Sequence, residues 1–325
     1  MTNNYAVSVA GLQTLGAQMS LDVAREADTL GYSSIWAAEA NAAEALSLLG
    51  AISQATTRAG VGTGVLALQL RTPPLHAMGG ATLQQLVGDD RPVYLGIGIS
   101  SPAVAGQWHG AGYGDRPIAQ VREFVALLRE CLSGETVSFE GDFYKVSRFR
   151  LGIRLGERKP KIVVAALNEQ MLRLAGEIAD GVLLNYLPAA LVPWCVERIR
   201  EGGAAEVYAF VHCAVTDRDR YAESARKDLL SYAVVDAYAN QFARAGFADD
   251  VEKFRELWKA RDREGALAAI GDGWVDAIQI MGDADHVRGA VKAYADAGVD
   301  MPIVFAIPWG EDRRATVSNT LQALA

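Results

Sequence analysis

The sequence predicts an α/β fold, a closed (β/α)8 TIM barrel. Eight short apolar runs recur along the 325 residues, with helical segments between them. The runs are continuously apolar rather than alternating, as strands become when both faces of a sheet are covered. No linker rich in Pro, Gly or Ser divides the chain, so one domain over 1–325 is expected. An open doubly wound sheet is the alternative, and it would use fewer strands.

The elements follow in order. Residues 5–10 form the first run, ending at Gly11. Residues 20–30 have helical spacing and stop at Gly31. The second run is 33–37, followed by an Ala/Leu helix over 42–57. The third run is 60–66, and Pro73 opens a helix to Val87. The fourth run is 92–97. Asp115 then caps a helix that carries Val121, Phe124, Leu127 and Leu128 on one face. Runs five to eight are 162–166, 181–184, 207–215 and 301–307. Two insertions interrupt this rhythm. One follows the fourth strand and holds a hairpin over 136–145, turning at Glu140-Gly141, then a basic irregular stretch. The other, about 216–298, holds polar helices between strands seven and eight.

Composition excludes several classes. The formal charge is −8 and no Lys/Arg block occurs, so neither nucleic acid nor an anionic membrane is an expected partner. No apolar run is long enough to span a bilayer. The start of the chain lacks a basic region followed by an apolar core, so a cytoplasmic location is expected. The three cysteines, Cys131, Cys195 and Cys213, lie far apart in apolar surroundings, which suits buried thiols. No Cys/His metal spacing is present.

In such a barrel, chemistry gathers where strands end. Glu39 lies just past strand two, where a solvated loop charge is the plainer reading. Gly96 and Gly98 flank the end of strand four. They open the backbone to a ligand or simply admit a close helix. Their spacing falls short of a dinucleotide fingerprint. The turn Leu167-Asn168-Glu169-Gln170-Met171 opens a helix whose free N–H groups suit a phosphate, or only an Asn cap. Among the four histidines, His76, His212 and His286 read as packing or surface residues. His109, in the loop after strand four, is the candidate proton donor. Leu66, Leu68, Trp108, Tyr186 and Trp309 are candidate apolar walls.

These strand ends, in this order, resemble those of the bacterial luciferase-like oxidoreductases, in particular the branch dependent on the deazaflavin coenzyme F420. The segments are GYSSIWAAEA, GVGTGVLALQLRTPPLHAMGGATLQQL, YLGIGISSPAVAGQWHG, YGDRPIAQVREFVALLRECLSGETVSFEGDFY, AALNEQMLRLAGEIADGVLLN and GVDMPIVFAIPWG. The resemblance implies a luciferase-like barrel that usually forms a homodimer. It implies a non-prolyl cis peptide at Gly64-Val65, in a bulge behind the cofactor ring. It places Glu39 and the turn Gly98-Ile99-Ser100-Ser101 along the cofactor, and the phosphate at Asn168 to Met171. Relatives often carry Gly-Pro-Lys or Asn-Pro-Arg at that turn, where this chain has Glu169-Gln170. Sugar-phosphate dehydrogenases of the family have a His and a Glu where Ala40 and Ser101 stand. The pair that would oxidise an alcohol is thus missing. The implied activity is hydride transfer between F420 and a small organic substrate, as a reductase of an activated C=C or C=N bond. An FMN-dependent monooxygenase and a catalytically silent flavin-binding barrel are the alternatives. Helices two and three carry Ala42, Ala43, Ala45, Gly79, Gly80 and Ala81, which would let two subunits approach closely.

Overall fold

The computed structural model describes residues 4–325. Eight parallel strands close into a barrel: β1 (Ala6–Ser8), β2 (Ser34–Ala37), β3 (Gly60–Thr63), β5 (Val93–Gly98), β8 (Lys161–Ala165), β9 (Gly181–Leu184), β10 (Glu206–Val215) and β12 (Met301–Ala306). Closure is made by β9 against β10, with Val207 opposite Val182, and by β1 between β12 and β2. Helices α1 (Ala17–Leu30), α2 (Ala45–Ala55), α3 (Pro73–Val87), α4 (Pro117–Cys131), α5 (Glu169–Ile178), α6 (Val192–Gly202), α12 (Ala284–Asp296) and α13 (Arg313–Leu324) belong to the surrounding shell. The hairpin is β6 (Thr136–Glu140) with β7 (Lys145–Arg150). Its turn is held by Glu123 of α4, whose carboxylate accepts the N–H groups of Asp142, Phe143 and Tyr144.

The third run is not one continuous strand. Val61 pairs with Val93, yet Leu66 of β4 (Leu66–Ala67) pairs with Ile97. One extra residue is therefore accommodated between them, a bulge at Gly64-Val65, and that peptide is cis. An extra residue reverses which side chains face inward. Val65 joins the barrel interior, while Leu66 and Leu68 pack into the shell. They are therefore not walls of the mouth, contrary to expectation. Thr63 bridges the interruption, its hydroxyl taking the Gly96 N–H at 2.7 Å and donating to the Gly96 carbonyl at 2.8 Å.

Aromatic rings fill the barrel interior. Trp36 stacks on Tyr94 with centroids 5.0 Å apart, and Tyr208 meets Tyr94 edge-on at 5.6 Å. Glycines make the room. A Cβ on Gly62 would lie 2.6 Å from Trp36, and one on Gly181 would lie 2.4 Å from Tyr208. Gly79 and Gly80 serve the same purpose inside the shell, where added Cβ atoms would meet Leu46 and Leu95.

The second insertion holds α7 (Arg218–Ala233), α8 (Asp236–Phe242), α9 (Ala248–Lys259), α10 (Arg263–Ala268), α11 (Asp272–Ile278) and a short strand, β11 (Ile280–Gly282), that the sequence does not suggest. Leu229, Phe242, Phe254, Trp274 and Ile278 give it a core of its own. β11 pairs with the carboxyl end of β10, and so fixes the helices over one side of the barrel mouth.

Candidate functional site

The strand carboxyl ends divide into two arcs. The first runs from β2 through β3/β4 and β5 to β8, and it holds the residues singled out in the sequence. Glu39 is not a free carboxylate. It accepts the Ala45 N–H at 3.1 Å, at the start of α2, and pairs with Arg71 at 3.1 Å. His109 Nε2 donates to the Ala40 carbonyl at 2.5 Å, so the loop after β5 is tied to the loop after β2. His109 is exposed, as is Trp108 beside it. Gly98 lies against the bulge, since a Cβ there would sit 2.8 Å from Val65 and 3.3 Å from Ala165. Ser100 donates its N–H to Gln69 Oε1 at 3.3 Å. Ser101 starts the π-helical turn Ala103–Trp108, its hydroxyl taking the Val104 N–H.

At the end of this arc, Asn168 caps α5 through the Met171 N–H at 3.0 Å. That leaves the N–H groups of Glu169 and Gln170, which no helix can satisfy internally. Glu169 turns toward cations: Arg173 lies 2.7 Å away and Arg198 3.7 Å. Among the described residues, three buried donors in this arc have no hydrogen-bond partner: Gln69 Nε2 beside the Gly98–Ser101 turn, Arg71 Nε beside Glu39, and Arg198 Nε near the start of α5, whose only anionic neighbour at that atom is Glu169 at 3.7 Å. Unmet donors of this kind fit a cofactor with carbonyl and phosphate oxygens.

The second arc runs from β9 through β10 and β12 to β1. It holds a cavity of about 490 Å³, lined by Tyr186, His212, Asp228, Tyr232, Gln279, Phe305 and Trp309 among others. Tyr186 and Trp309 are walls here, as expected. His212, expected in packing, and Asp228 and Gln279, which carry no signal in the sequence, line the same cavity. The inward parity of β10 and the insertion helices bring them together. His212 Nε2 donates to Asn185 Oδ1 at 2.8 Å, and its ring lies between Tyr186 and Phe305 at 4.1 and 4.3 Å. Burial pushes its pKa down to about 3, so the imidazole is neutral at pH 7. Asp228 Oδ2 accepts from the Tyr186 hydroxyl at 2.9 Å and from Gln279 Nε2 at 2.5 Å. Burial pushes this carboxyl up to about 6, against the opposing pull of those two donors. Tyr186 has φ near +50°, a costly conformation for a bulky residue. Gln241 secures it, donating to the carbonyls of both Asn185 and Tyr186. No signal of spacing could have linked Asp228 to Tyr186, since the insertion's own core sets the angle of α7.

The arcs share a floor. A Cβ on Gly64 would lie 2.5 Å from Phe210, and Phe210 meets Phe305 edge-on at 5.7 Å. No group of three or more metal-ligating side chains occurs among the described residues. No helix there is long and apolar enough to cross a membrane.

A closed parallel barrel with a two-sided binding mouth is the class that fold and site define. The family model described as luciferase-like monooxygenase matches residues 7–301, and the chain belongs to that family. A putative coenzyme F420-dependent oxidoreductase of Mycobacterium tuberculosis is 28% identical over 318 residues, covering 89% of this chain and 91% of the relative. Among solved structures, the coenzyme F420-dependent tetrahydromethanopterin reductase of Methanopyrus kandleri aligns with a TM-score of 0.79 at 20% identity, over 100% of this chain and 99% of that one. An F420-dependent secondary alcohol dehydrogenase, solved with an F420–acetone adduct, aligns at 0.74 and 17% identity over the full length of both chains. At such identities the structures establish the fold.

Proposed function

We propose that this protein is an oxidoreductase that binds coenzyme F420 along the β2–β8 arc and exchanges hydride with a small organic substrate in the β9–β1 cavity. The favoured reaction is reduction of an activated C=C or C=N bond. The observation that carries this reading is the juxtaposition at one barrel mouth of a glycine-lined shelf with unmet buried donors and an aromatic cavity. The relative named as F420-dependent, similar over nine-tenths of this chain, favours the deazaflavin over FMN. When bound, that group supplies a hydride with its two electrons.

The residues of the chain divide the remaining work. Val65 and the Gly98 backbone wall the ring side, and Gln69 Nε2 offers a donor to a ring or side-chain oxygen. The start of α5, with Arg198 behind it, holds the phosphate through backbone N–H groups. His109 ties the shelf to the loop after β2 and stands at the mouth as the proton donor. The floor of Phe210 and Phe305 excludes water from the space between the two arcs. The absence of an acid/base pair at Ala40 and Ser101 favours a reductase over an alcohol dehydrogenase.

Titration of the purified protein with F420, followed by deazaflavin fluorescence, tests the reading. Saturable quenching with a micromolar Kd, together with consumption of reduced F420 in the presence of imines or enones, is expected. Co-purifying FMN with no F420 quenching would replace it with the monooxygenase reading. Quenching without turnover of any acceptor would leave a silent barrel. We also expect a homodimer, joined through the α3 face on which Leu75, Met78 and Leu86 are 45%, 48% and 39% exposed. Light scattering on Leu75→Glu with Met78→Glu should then give monomer mass where the parent gives twice that.

A further inference from the structure

The cavity of the second arc contains polar atoms that the hydride transfer leaves unused: the open edge of Asp228 and the carbonyl of Gln279, with a set of rings around them. Gln279 is 1% exposed, and its Oε1 is buried without a hydrogen-bond partner. Its amide nitrogen is committed to Asp228 Oδ2, so the carbonyl is the free end. Asp228 accepts both of its bonds on Oδ2, and among the described residues no hydrogen bond reaches Oδ1. The cavity therefore offers acceptors. Tyr186, Tyr221, Tyr232, Phe305 and Trp309 surround them with aromatic faces and edges. A half-buried carboxylate among rings favours a cation. Neutral His212 in the floor does not repel one, and the single cationic side chain lining the cavity, Arg313, is exposed.

We propose that the cavity selects a planar nitrogen cation bearing N–H donors, of the iminium or amidinium class, held between Asp228, Gln279 Oε1 and the tyrosine rings. This rests on the function proposed above and names its substrate class. The chemistry is consistent with the missing acid. Hydride addition to an iminium carbon forms one C–H bond and moves the C=N π pair onto nitrogen, giving a neutral amine. The donor, a reduced deazaflavin, is oxidised by the same two electrons. The substrate brings its own proton, so no acid at Ala40 or Ser101 is needed.

Benzamidine is a suitable probe, with benzamide and benzoate as neutral and anionic isosteres, titrated calorimetrically into the full chain without cofactor. At pH 7.5, benzamidinium should bind at least about tenfold more tightly than benzamide, and benzoate should be weakest. Asp228→Asn should abolish the preference, and Gln279→Leu should reduce it about threefold. Affinity for benzamidinium should fall as the pH drops from 7.5 to 5, as Asp228 gains its proton. Of the other titratable groups facing it, burial raises the Tyr186 and Tyr232 hydroxyls and lowers His212, so these three keep their charge over that range; Tyr221 and Arg313 also line the cavity. Should Asp228→Asn fail to fold, this pH series on the unaltered chain still decides. Benzoate binding as tightly as benzamidinium, or a pH-independent preference, would overturn the proposal. F420 titration of the same preparation separates the two readings: quenching without a benzamidinium preference sinks the substrate class and leaves the cofactor assignment standing.

Discussion

The two arcs of the mouth are built by opposite means. The β2–β8 arc works by removing side chains. Gly62, Gly64, Gly96 and Gly98 bring backbone and bulge close together, and its polar groups sit at strand ends within a few residues of the apolar runs. The β9–β1 arc works by adding them. Tyr186, His212, Asp228 and Gln279 come from four elements that are distant in sequence, locked by hydrogen bonds around Tyr186 and Asn185. A shelf of backbone suits a large cofactor of fixed shape, whereas a box of side chains can be retuned residue by residue. Specificity on this fold is therefore expected on the second arc.

The largest effect should come from the floor common to both. Trp36 is fully buried against Tyr94 and Tyr208, so Trp36→Ala should cost about 3–5 kcal/mol in denaturant unfolding. A loss below about 1 kcal/mol would mean the interior collapses around the gap, and that the arcs do not lean on one packed floor. Next comes Gln241→Ala. It strips two carbonyls of their partner and frees a strained Tyr186, with an expected cost of about 2–3 kcal/mol. Benzamidinium binding should weaken, while F420 quenching should stay as it was. Equal damage to both would break the division between the arcs.

The pH response sharpens the contrast further, because the second arc buries titrating groups at the mouth. His212 is held down to about 3 from an ordinary 6.5, so between those values the unfolded chain carries a proton that the folded chain lacks. Its contribution is fully present above pH 6.5 and is lost as the pH falls toward 3. Asp228, raised from 3.8 to about 6, acts in the opposite sense. Between those values the folded chain holds the extra proton, and acid favours folding. Removing the imidazole with His212→Gln should therefore shrink the drop in stability between pH 7 and 5 by about 2 kcal/mol. Parallel melts of the two proteins showing the same drop would place His212 in contact with water.

The same contrast explains what the sequence can show. Strand runs, the Gly98 turn and the Asn168 cap are local, and each is legible because propensity and period act over a few residues. The bulge is legible only through family resemblance. It also reverses the parity of Leu66 and Leu68, which is why both look like walls in the sequence and lie in the shell. The β9–β1 arc is mostly illegible. Asp228 looks like one more charge on a polar helix, and His212 like core, until β11 and the insertion's own packing set α7 across the mouth. Gly79 and Gly80 mark a close approach, met in the folded chain by Leu46 and Leu95, but a small residue does not itself say which neighbour fills the space.

The smallest expected effect tests the first arc alone. A carboxylate at the start of α5 opposes a phosphate held there, and an unpaired Glu169 would weaken binding strongly. Its charge is already shared with Arg173 and Arg198, all three partly exposed. Screening by those cations and by water shrinks the repulsion. Glu169→Gln keeps the volume, removes the negative charge and frees one side of both guanidinium groups, which stay paired with Glu201. Affinity for F420 should then rise by about threefold at low salt and return toward the parent value as salt is raised. A deazaflavin fragment lacking the phosphate should bind both proteins alike. A gain for both ligands would point to a looser shelf rather than a freed phosphate site. No gain for either would leave the start of α5 as a capped turn and move the anchor of the first arc toward Gln69.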